Sequence, residues 1–442
     1  MNNKSTIYAL SSGLGRAGIA VVRVSGPKAS DTLIRLIGVL PAPRLASLRR
    51  LISFSDQSVI DQALVFWFPG SATATGEDVA EFHLHGSPAI VAKVFSELSE
   101  IAGVVPAEAG AFTRRAFDNG VLDLVEVEGL ADLLSANTES QRRLAMRQFL
   151  GEASSIYEKW RTDLVNALAL IDAAIDFVEE PDVVAAAVAQ TMPAVKKLRV
   201  ALMAALSQSA RASSVRDGLR LVIAGAPNVG KSSLLNWLAQ RNAAIVSDRA
   251  GTTRDVVEAV VEFEGVRLVL ADTAGLRIDS TDEIEKVGMA RAEAEIQDAD
   301  ILLWLTAPDV NSEVGPSRTP DLFVINKSDL IPRESIQYRN ESSLTVSLKL
   351  GSGLVTLRER LAQLISERSA LTQDAVVVRD RHVVAVKKTI RKLNDVLDHP
   401  NLPIEVLAEE LSEACRIMSS ITGRIDVEDL LGRIFSEFCI GK

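Results

Sequence analysis

A glycine-rich stretch near the middle of the chain has the residue types that bind phosphate. Residues 225–232 read GAPNVGKS, which fits G-x-x-x-x-G-K-[ST] and lies between an apolar strand-like run and a helix-like segment. The glycines let consecutive backbone N–H groups face phosphate oxygens, and Lys231 can reach the β- and γ-phosphates. The hydroxyl of Ser232 is a suitable Mg²⁺ ligand. The stretch therefore predicts a nucleotide-phosphate site rather than a chance glycine-rich turn.

Three further segments follow in the order typical of a nucleotide switch. DTAG ends an apolar run, where Asp272 can hold a Mg²⁺-bound water and the N–H of Gly275 can contact the γ-phosphate. NKSD ends another apolar run. The carboxylate of Asp329 can accept two hydrogen bonds from adjacent N–H groups of guanine, a pair of donors that adenine lacks. SLK at 347–349 can add a loop against the base. The four motifs together predict a guanine-nucleotide-binding domain.

The segment SDRAGTTRD at 247–255 supplies Thr252 and Thr253 as a switch. Leu276 stands where Ras-like GTPases have a glutamine that orients the attacking water, so the water must be positioned differently. The side chain of Asn228, with carbonyls of the switch, could hold a monovalent cation that acts like an arginine finger. Asn228 could equally be a cap of its loop. The predicted nucleotide contacts are Asn228, Val229, Gly230, Lys231, Ser232, Ser233, Ser247, Asp248, Arg249, Ala250, Gly251, Thr252, Thr253, Asp272, Thr273, Ala274, Gly275, Asn326, Lys327, Asp329, Ser347, Leu348 and Lys349.

The elements around these motifs alternate between strands and helices. Apolar runs separated by helical stretches, as from LRLVIAG to DLFVINKSD, are typical of a parallel α/β sheet. The first part of the chain also alternates, whereas long Ala/Leu/Glu-rich stretches on either side of the α/β region indicate helices. We expect a multidomain α/β plus all-α protein. The predicted parts are an N-terminal α+β domain (1–120), a helical domain in two pieces (121–212 and 372–442) and an inserted P-loop domain (213–371).

Composition limits the class of protein. The chain has 442 residues, 47% of them hydrophobic and 24% charged, which is ordinary for a soluble globular protein. No run approaches the roughly 20 apolar residues that span a bilayer, and the N-terminus lacks a secretory signal. Two cysteines favour a reducing cytosol over a disulfide framework. A net charge of −10 means that a polyanionic partner would have to find a local basic patch.

The chain ends in RIFSEFCIGK, after a strongly helical pattern. Its apolar residues repeat at helical spacing and predict a docked helix, which would hold Cys439 in a fixed place. That cysteine could be a nucleophile or only an inert packing residue. The apolar face consists of Val427, Leu430, Leu431, Ile434, Phe435 and Phe438.

These sequences resemble the TrmE-type GTPases, through GAPNVGKSS, AGTTRD, DTAGLR, NKSD, TGEDVAEFHLHG (75–86), RRAF (114–117) and the terminal FCIGK. The resemblance covers essentially the whole chain. It implies an N-terminal folate-binding domain that dimerises, a discontinuous helical domain and an inserted G domain. It also implies a cytoplasmic homodimer that works with the FAD protein MnmG, in a heterotetramer-type complex. Their reaction would add an aminomethyl or carboxymethylaminomethyl group to C5 of the wobble uridine of certain tRNAs.

The resemblance also implies cofactors and the residues that bind them. The cofactors are GTP, Mg²⁺, K⁺ and 5,10-methylenetetrahydrofolate or a 5-formyltetrahydrofolate-like folate. The folate-contacting positions are Arg23, Glu81, Val121 and Lys442, of which Val121 replaces a lysine of the family. The implied ligands are Ser232 and Thr253 for Mg²⁺, and Asn228, Ser247, Thr252 and the carbonyl of Arg249 for K⁺. The catalytic residues are Glu285, which would orient the water, Lys231 and Cys439.

The residues themselves leave simpler interpretations open. Arg23 could pair with an acid at a strand edge, Glu81 could be an exposed strand position, and Glu285 could lie on a solvated helix. His83 and His85 point to one side of a strand, where packing or hydrogen bonding is favoured over a metal site. A different function is also open, that of an Era- or EngA-like GTPase switch in ribosome assembly. Such proteins carry a KH-type RNA module, which we do not find in this sequence, and FCIGK has no role in them.

Overall fold

The computed structural model describes most of the chain, in two compact units. The described residues are 5–241, 258–272, 293–310, 315–331, 343–369, 375–399, 402–425, 428–436, 438, 440 and 441. The first unit comprises 1–131, 148–161 and 415–442, and the second comprises 132–147 and 162–414. The domain boundaries at 120, 212 and 371 stay predictions.

A six-stranded sheet forms most of the first unit. Its strands are β1 (Thr6–Leu10), β2 (Ala17–Ser25), β3 (Ser47–Ile52), β4 (Val59–Phe68), β5 (Val79–Gly86) and β6 (Val104–Pro106). They lie in the order β3-β4-β5-β2-β1-β6. β1 and β6 are parallel, and the other neighbours are antiparallel.

Helices cover one face of this sheet. α1 (Ala29–Ile37) and α2 (Pro88–Ser99) follow β2 and β5 directly. In β4, Ala63, Val65 and Trp67 are buried against the helices, whereas Leu64 on the opposite face is 42% exposed. This period of two is what a strand with one covered face requires. The opposite face is therefore uncovered at β4, whereas at β1 Ile7 and Ala9 of that face are buried with Phe112.

Helices occupy much of the rest of the chain. They are α3 (Ala111–Asp118), α4 (Leu124–Ser135), α5 (Glu139–Phe149), α6 (Glu152–Ile175), α7 (Pro181–Asp217), α8 (Lys231–Arg241), α9 (Leu354–Ser369), α10 (Asp380–Asp398), α11 (Ile404–Ile421) and α12 (Glu428–Ser436). Across the described ranges, no helix is both long and apolar enough to cross a membrane.

A second six-stranded sheet lies in the second unit. Its strands are β7 (Leu219–Gly225), β8 (Glu258–Phe263), β9 (Val266–Asp272), β10 (Ile301–Thr306), β11 (Leu322–Ile325) and β12 (Ser343–Thr345), in the order β12-β11-β10-β7-β9-β8. Only the β8–β9 pair is antiparallel. The inner strands are apolar almost throughout, as in β10, where Ile301, Leu303 and Leu305 are fully buried. The expectation of a multidomain α/β plus all-α protein is thus confirmed.

The parallel pairing decides where the sequence motifs meet. Ligand sites in such sheets lie beyond the carboxyl ends of the strands. β7 ends at Gly225, β9 ends at Asp272 and β11 ends just before Asn326. The three motifs therefore lie at one edge of the sheet, although Gly225 and Asn326 are about a hundred positions apart in sequence.

Candidate functional sites

The loop between β7 and α8 has the backbone shape of a phosphate cradle. Gly225 has φ +145° and Gly230 has φ +105°, and Asn228 between them also has positive φ, at +64°. A Cβ added to Gly225 would overlap the carbonyl oxygen of Leu305, so only glycine fits there. The loop leads directly into the N-terminus of α8 at Lys231, and the N-terminus of a helix favours an anion.

Lys231 is held inside this loop. Its side chain is 6% exposed, and its ammonium donates to the carbonyl oxygens of Gly225 at 2.8 Å and Ala226 at 2.9 Å. These two carbonyl acceptors keep the ammonium beside the loop. The charge therefore lies where the motif requires it for a phosphate. Ser232 and Ser233, on the first turn of α8, are both exposed.

Asn326 connects the phosphate loop (225–232) with the loop at 347–349 that is predicted to contact the base. Its side chain is buried, and Nδ2 donates to the carbonyl of Val229 at 2.9 Å. Its Oδ1 accepts from the amide N–H of Leu348 at 3.2 Å. A Cβ on Gly230 would overlap the same Nδ2, so glycine is needed for this approach. Asn326 thus holds two loops in register, a role that motif order alone does not reveal.

The surroundings of Asp329 keep its carboxylate ionised, so that it can accept hydrogen bonds. The hydroxyl of the fully buried Ser347 donates to its Oδ1 at 2.6 Å, and this bond lowers the pKa of the Asp329 carboxyl. Ser347 Oγ in turn accepts from the N–H of Leu350 at 3.1 Å. Lys327 has φ +57° and donates to Asp309 at 2.6 Å. The carboxylate is exposed and ionised at neutral pH, as recognition of the N–H edge of guanine requires.

Part of the predicted nucleotide site lies outside the described residues. Asp272 is placed by its backbone at the end of β9, beside Ile223 of β7, and Lys349 is exposed next to Leu348. The predicted residues outside the described ranges are Ser247, Asp248, Arg249, Ala250, Gly251, Thr252, Thr253, Thr273, Ala274, Gly275, Glu285, Cys439 and Lys442. Their predicted roles stay predictions.

A second polar site lies on the uncovered face of the first sheet. Arg23 of β2 and Glu81 of β5 are direct cross-strand neighbours. The guanidinium Nε and one terminal nitrogen both lie 2.9 Å from Glu81 Oε1. His83 Nε2 lies 3.2 Å from the other carboxylate oxygen, and the Arg23 guanidinium also lies over the ring of Phe112 at 5.9 Å. The ion pair considered for Arg23 from the sequence is therefore present, and the pair is partly open to solvent.

The second histidine of the HLH sequence has a different partner. His85 Nδ1 lies 2.7 Å from Asp61 Oδ1, and the His85 amide donates to Asp61 Oδ2 at 2.8 Å. Each histidine thus hydrogen-bonds to a carboxylate. Within the described part of the chain, no group of three or more His, Cys, Asp or Glu side chains is placed to hold a metal ion.

A buried arginine, Arg115, holds the loop of residues 75–78 (TGED) beside this face. This residue was not identified from the sequence. Arg115 is 3% exposed and donates to Glu77 Oε2 at 2.7 Å, to the carbonyl of Ser25 at 3.2 Å and to the carbonyl of Ser5 at 2.9 Å. A charged group buried this deeply is stable only when paired. The RRAF sequence contained this residue, but only the fold shows which of its two arginines is buried.

Val121 packs against the same loop. A Cβ on Gly76, which has φ +75°, would lie 2.9 Å from Val121 Cγ2. Asn119 donates from Nδ2 to the carbonyl of Thr75 at 2.7 Å. The side chain of Val121 is 40% exposed, so a longer side chain at this position would have room to extend.

The C-terminal tail is docked against the end of β1. Leu431, Ile434, Phe435 and Phe438 are buried with residues of α4, as the apolar spacing predicts. Beyond them, Ile440 forms a β-bridge with Ala109. These contacts hold Phe438 and Ile440 in place.

Gly441 makes the closest approach of the tail. It has φ +97°, and the Ser11 hydroxyl donates to its carbonyl at 3.0 Å. A Cβ there would overlap the carbonyl oxygen of Leu10. Gly441 is therefore held by contacts with β1 and its following loop.

Comparison with known proteins covers nearly the whole chain. Residues 6–121 match the family model for the N-terminus of the GTP-binding protein TrmE, and residues 124–439 match the model for the MnmE helical domain. Proteins named tRNA modification GTPase MnmE are 45% identical in Methylobacterium sp. (strain 4-46), 44% in Rhizobium etli and 42% in Brucella anthropi, over 99% of this chain and 98–99% of theirs. The G domain of the T. maritima FeoB iron transporter covers 33% of this chain at 25% identity, with a TM-score of 0.23, too slight a likeness to bear on function.

Proposed function

The chain belongs to the MnmE family of tRNA modification GTPases, and we propose that it hydrolyses GTP in the service of modifying the wobble uridine of tRNA. The observation that carries this proposal is the link that Asn326 makes between the phosphate loop and the base loop. The parallel strand order places Lys231 and Asp329 at one edge of one sheet, and this link joins their loops, so that a single guanine nucleotide can contact both.

Different residues of the second unit bind different parts of GTP. The loop amides and Lys231 bind phosphates, while the ionised Asp329 accepts the two N–H groups of guanine. Hydroxyl and amide oxygens are the hard donors that Mg²⁺ and K⁺ prefer. Ser232 with Thr253 fits Mg²⁺, and Asn228 fits K⁺ together with Ser247, Thr252 and the carbonyl of Arg249.

When bound by these residues, the cations would supply positive charge that favours phosphoryl transfer, and protein residues must position the attacking water. Glu285 is our candidate for this task, because Leu276 has no hydrogen-bonding group. Lys231 stabilises the charge of the phosphates directly.

The face that carries Arg23 and Glu81 is our candidate folate site. A pterin presents adjacent N–H donors much as guanine does, and the partly open Glu81 carboxylate is an acceptor of the right kind. Arg23 can bind a carbonyl or carboxylate oxygen of the same ligand. Val121 contributes apolar contact where the family has a lysine, and Lys442 and Cys439 would reach this region from the docked tail.

The uncovered face also supports the proposal of a homodimer. Leu48 is 55% exposed and pairs across strands with Leu64, which is 42% exposed and pairs with His83. Large exposed apolar residues on a flat sheet face are typical of an interface, and a second copy of the same face is the simplest partner. The FAD protein MnmG, in a heterotetramer-type complex in the cytoplasm, is the further partner that we propose.

Deletion of the gene tests the main function. We expect total tRNA from the deletion strain to lose the C5-substituted wobble uridine, measured by mass spectrometry of nucleosides, and a plasmid copy to restore it. An unchanged nucleoside profile would contradict the proposal. The alternative of a ribosome-assembly switch would show instead as altered ribosomal subunits with normal tRNA, but the full-length family match favours tRNA modification.

A further inference from the structure

We propose that the exposed side of α10 binds the phosphate backbone of the tRNA, an inference that rests on the proposed function. The chain as a whole carries a net charge of −10, so its overall charge opposes the approach of RNA. Contact with a polyanion must therefore take place on a local concentration of cations. The twelve residues 381–392, RHVVAVKKTIRK, contain five Lys and Arg and not one Asp or Glu.

Three of these cations lie together on the outer side of the helix. Lys387, Lys388 and Arg391 are all exposed, with the half-exposed Val384 one turn before them. Positions separated by three or four residues lie on the same face of a helix. We call Lys387, Lys388 and Arg391 the basic stripe. Within the described part of the chain, none of these three side chains makes an ion pair or hydrogen bond, whereas the neighbouring Lys392 does.

The opposite side of α10 is fixed in the protein core, which makes the stripe a rigid feature. The buried positions of the helix are His382, Ala385, Val386, Thr389, Leu393 and Val396. Because the back of the helix is packed, the three cations are presented on a fixed support. A charge run on a mobile segment would have to be ordered when it bound RNA.

The neighbouring helices differ in how they affect the charge of the stripe. α7 packs against α10, with the Arg199 guanidinium donating to Asn394 Oδ1 at 3.2 Å, and residues 183–216 of α7 contain no Asp or Glu. α11 carries the acids, and there Lys392 pairs with Glu410 at 2.8 Å. Lys392 is therefore neutralised and marks one border of the stripe, and Asp395 of α10, one turn beyond Arg391, marks the same end. Residues 183–216 of α7 add no negative charge.

An RNA backbone is the occupant that this chemistry favours. Lys and Arg side chains with apolar stems on a helix neutralise phosphates without reading bases, and such contacts make affinity depend on salt. An acidic protein surface would also attract the stripe, but the proposed function already requires a tRNA, and no other partner needs to be assumed.

The salt dependence of tRNA binding tests the assignment. Full-length protein and the double variant Lys387→Ala/Arg391→Ala are titrated with a fluorescent tRNA transcript between 50 and 200 mM KCl. Each lost phosphate contact lowers the slope of log affinity against log salt by about 1, so we expect the variant's slope to be about 2 smaller. Over this fourfold salt range, wild-type affinity should fall roughly 16-fold further than that of the variant.

The matched control removes one Lys and one Arg from exposed positions on other helices, as Lys159→Ala/Arg360→Ala. It should keep the wild-type slope, and both double variants should keep the wild-type melting temperature and GTP hydrolysis. An unchanged slope in Lys387→Ala/Arg391→Ala, or wild-type protein that does not bind tRNA, would overturn the assignment. A deletion strain with normal wobble nucleosides would instead refute the proposed function itself, so the two failures are distinguishable.

Discussion

The substitution Gly441→Ala should separate tRNA modification from GTP hydrolysis. Gly441 has φ +97°, and a side chain held in that region costs about 1–2 kcal/mol. The added Cβ would also lie 2.9 Å from the carbonyl carbon of Leu10 and 3.0 Å from Ser11 Cα, with the Leu10 oxygen closer still. Because these neighbours are backbone atoms, they cannot rotate away.

The expected loss of activity follows from the free energy that holds residues 440 and 441 in place. The Ser11 hydrogen bond and the Ala109–Ile440 bridge contribute about 1 kcal/mol each. Strain of about 1–2 kcal/mol alone lowers the ratio of docked to undocked tail roughly 5- to 30-fold, and the overlap adds to it. With about 2 kcal/mol holding residues 440 and 441, the strain alone would undock up to about half of the molecules, and the overlap with the Leu10 carbonyl should undock most of the rest. We therefore expect the rate of tRNA modification to fall several-fold.

The assay is complementation of a deletion strain with plasmid-borne variants, read as modified wobble nucleoside by mass spectrometry, beside GTP hydrolysis by purified protein. Gly432→Ala is the matched control, because Gly432 lies in α12 with no atom within 4 Å of an added Cβ. Alanine there should be neutral or slightly stabilising. Gly441→Ala protein that modifies tRNA as fast as wild type would refute the docking argument. A loss of GTP hydrolysis would mean that the substitution acts on more than the tail.

Three other predictions concern the nucleotide site and stability. Asp329→Asn replaces one of two acceptors by a donor, so GTP affinity should fall by roughly 10- to 150-fold in a fluorescent-nucleotide titration; an unchanged affinity would exclude Asp329 from base recognition. If Asn228 helps to hold K⁺, GTP turnover should be much faster in K⁺ than in Na⁺ buffer, and equal rates would exclude the cation site. Burial opposes ionisation of Glu97, but hydrogen bonds from Ser53, Lys93, Ser55 and the Phe54 amide outweigh it and lower the pKa of its carboxyl to about 2. Because this pKa lies below that of Glu97 in the unfolded chain, the ionised carboxylate stabilises the fold fully above about pH 4.5, and this stabilisation is lost as the pH falls towards 2. Glu97→Gln should therefore be less stable than wild type at pH 7 and should lose less stability over that pH window in urea titrations. Parallel pH profiles of the two proteins would contradict this.

The sequence by itself determined the features that depend on neighbouring residues. The phosphate loop is eight consecutive positions, and its glycines, lysine and serine act through local backbone geometry. The apolar runs of β7 and β10 and the apolar face of α12 are likewise periodic patterns that one segment reveals. For the same reason, the guanine-nucleotide domain and the docked C-terminal helix were predictable.

The tertiary structure alone decided which distant residues meet. Strand register paired Arg23 with Glu81, and β11 brought Asn326 to Val229, 97 positions away. Burial chose Arg115 over its neighbour Arg114 as the residue that orders the TGED loop. Sequence spacing cannot give these contacts, because they depend on how separate elements pair and pack.

The same distinction applies to charge. The sequence shows five cations in residues 381–392, but not which of them is neutralised. Packing of α11 pairs Lys392 with Glu410, whereas Lys387, Lys388 and Arg391 stay exposed on the outer side of α10. A charge attracts a partner only when no nearby opposite charge has already satisfied it, and the arrangement of neighbouring helices sets that condition.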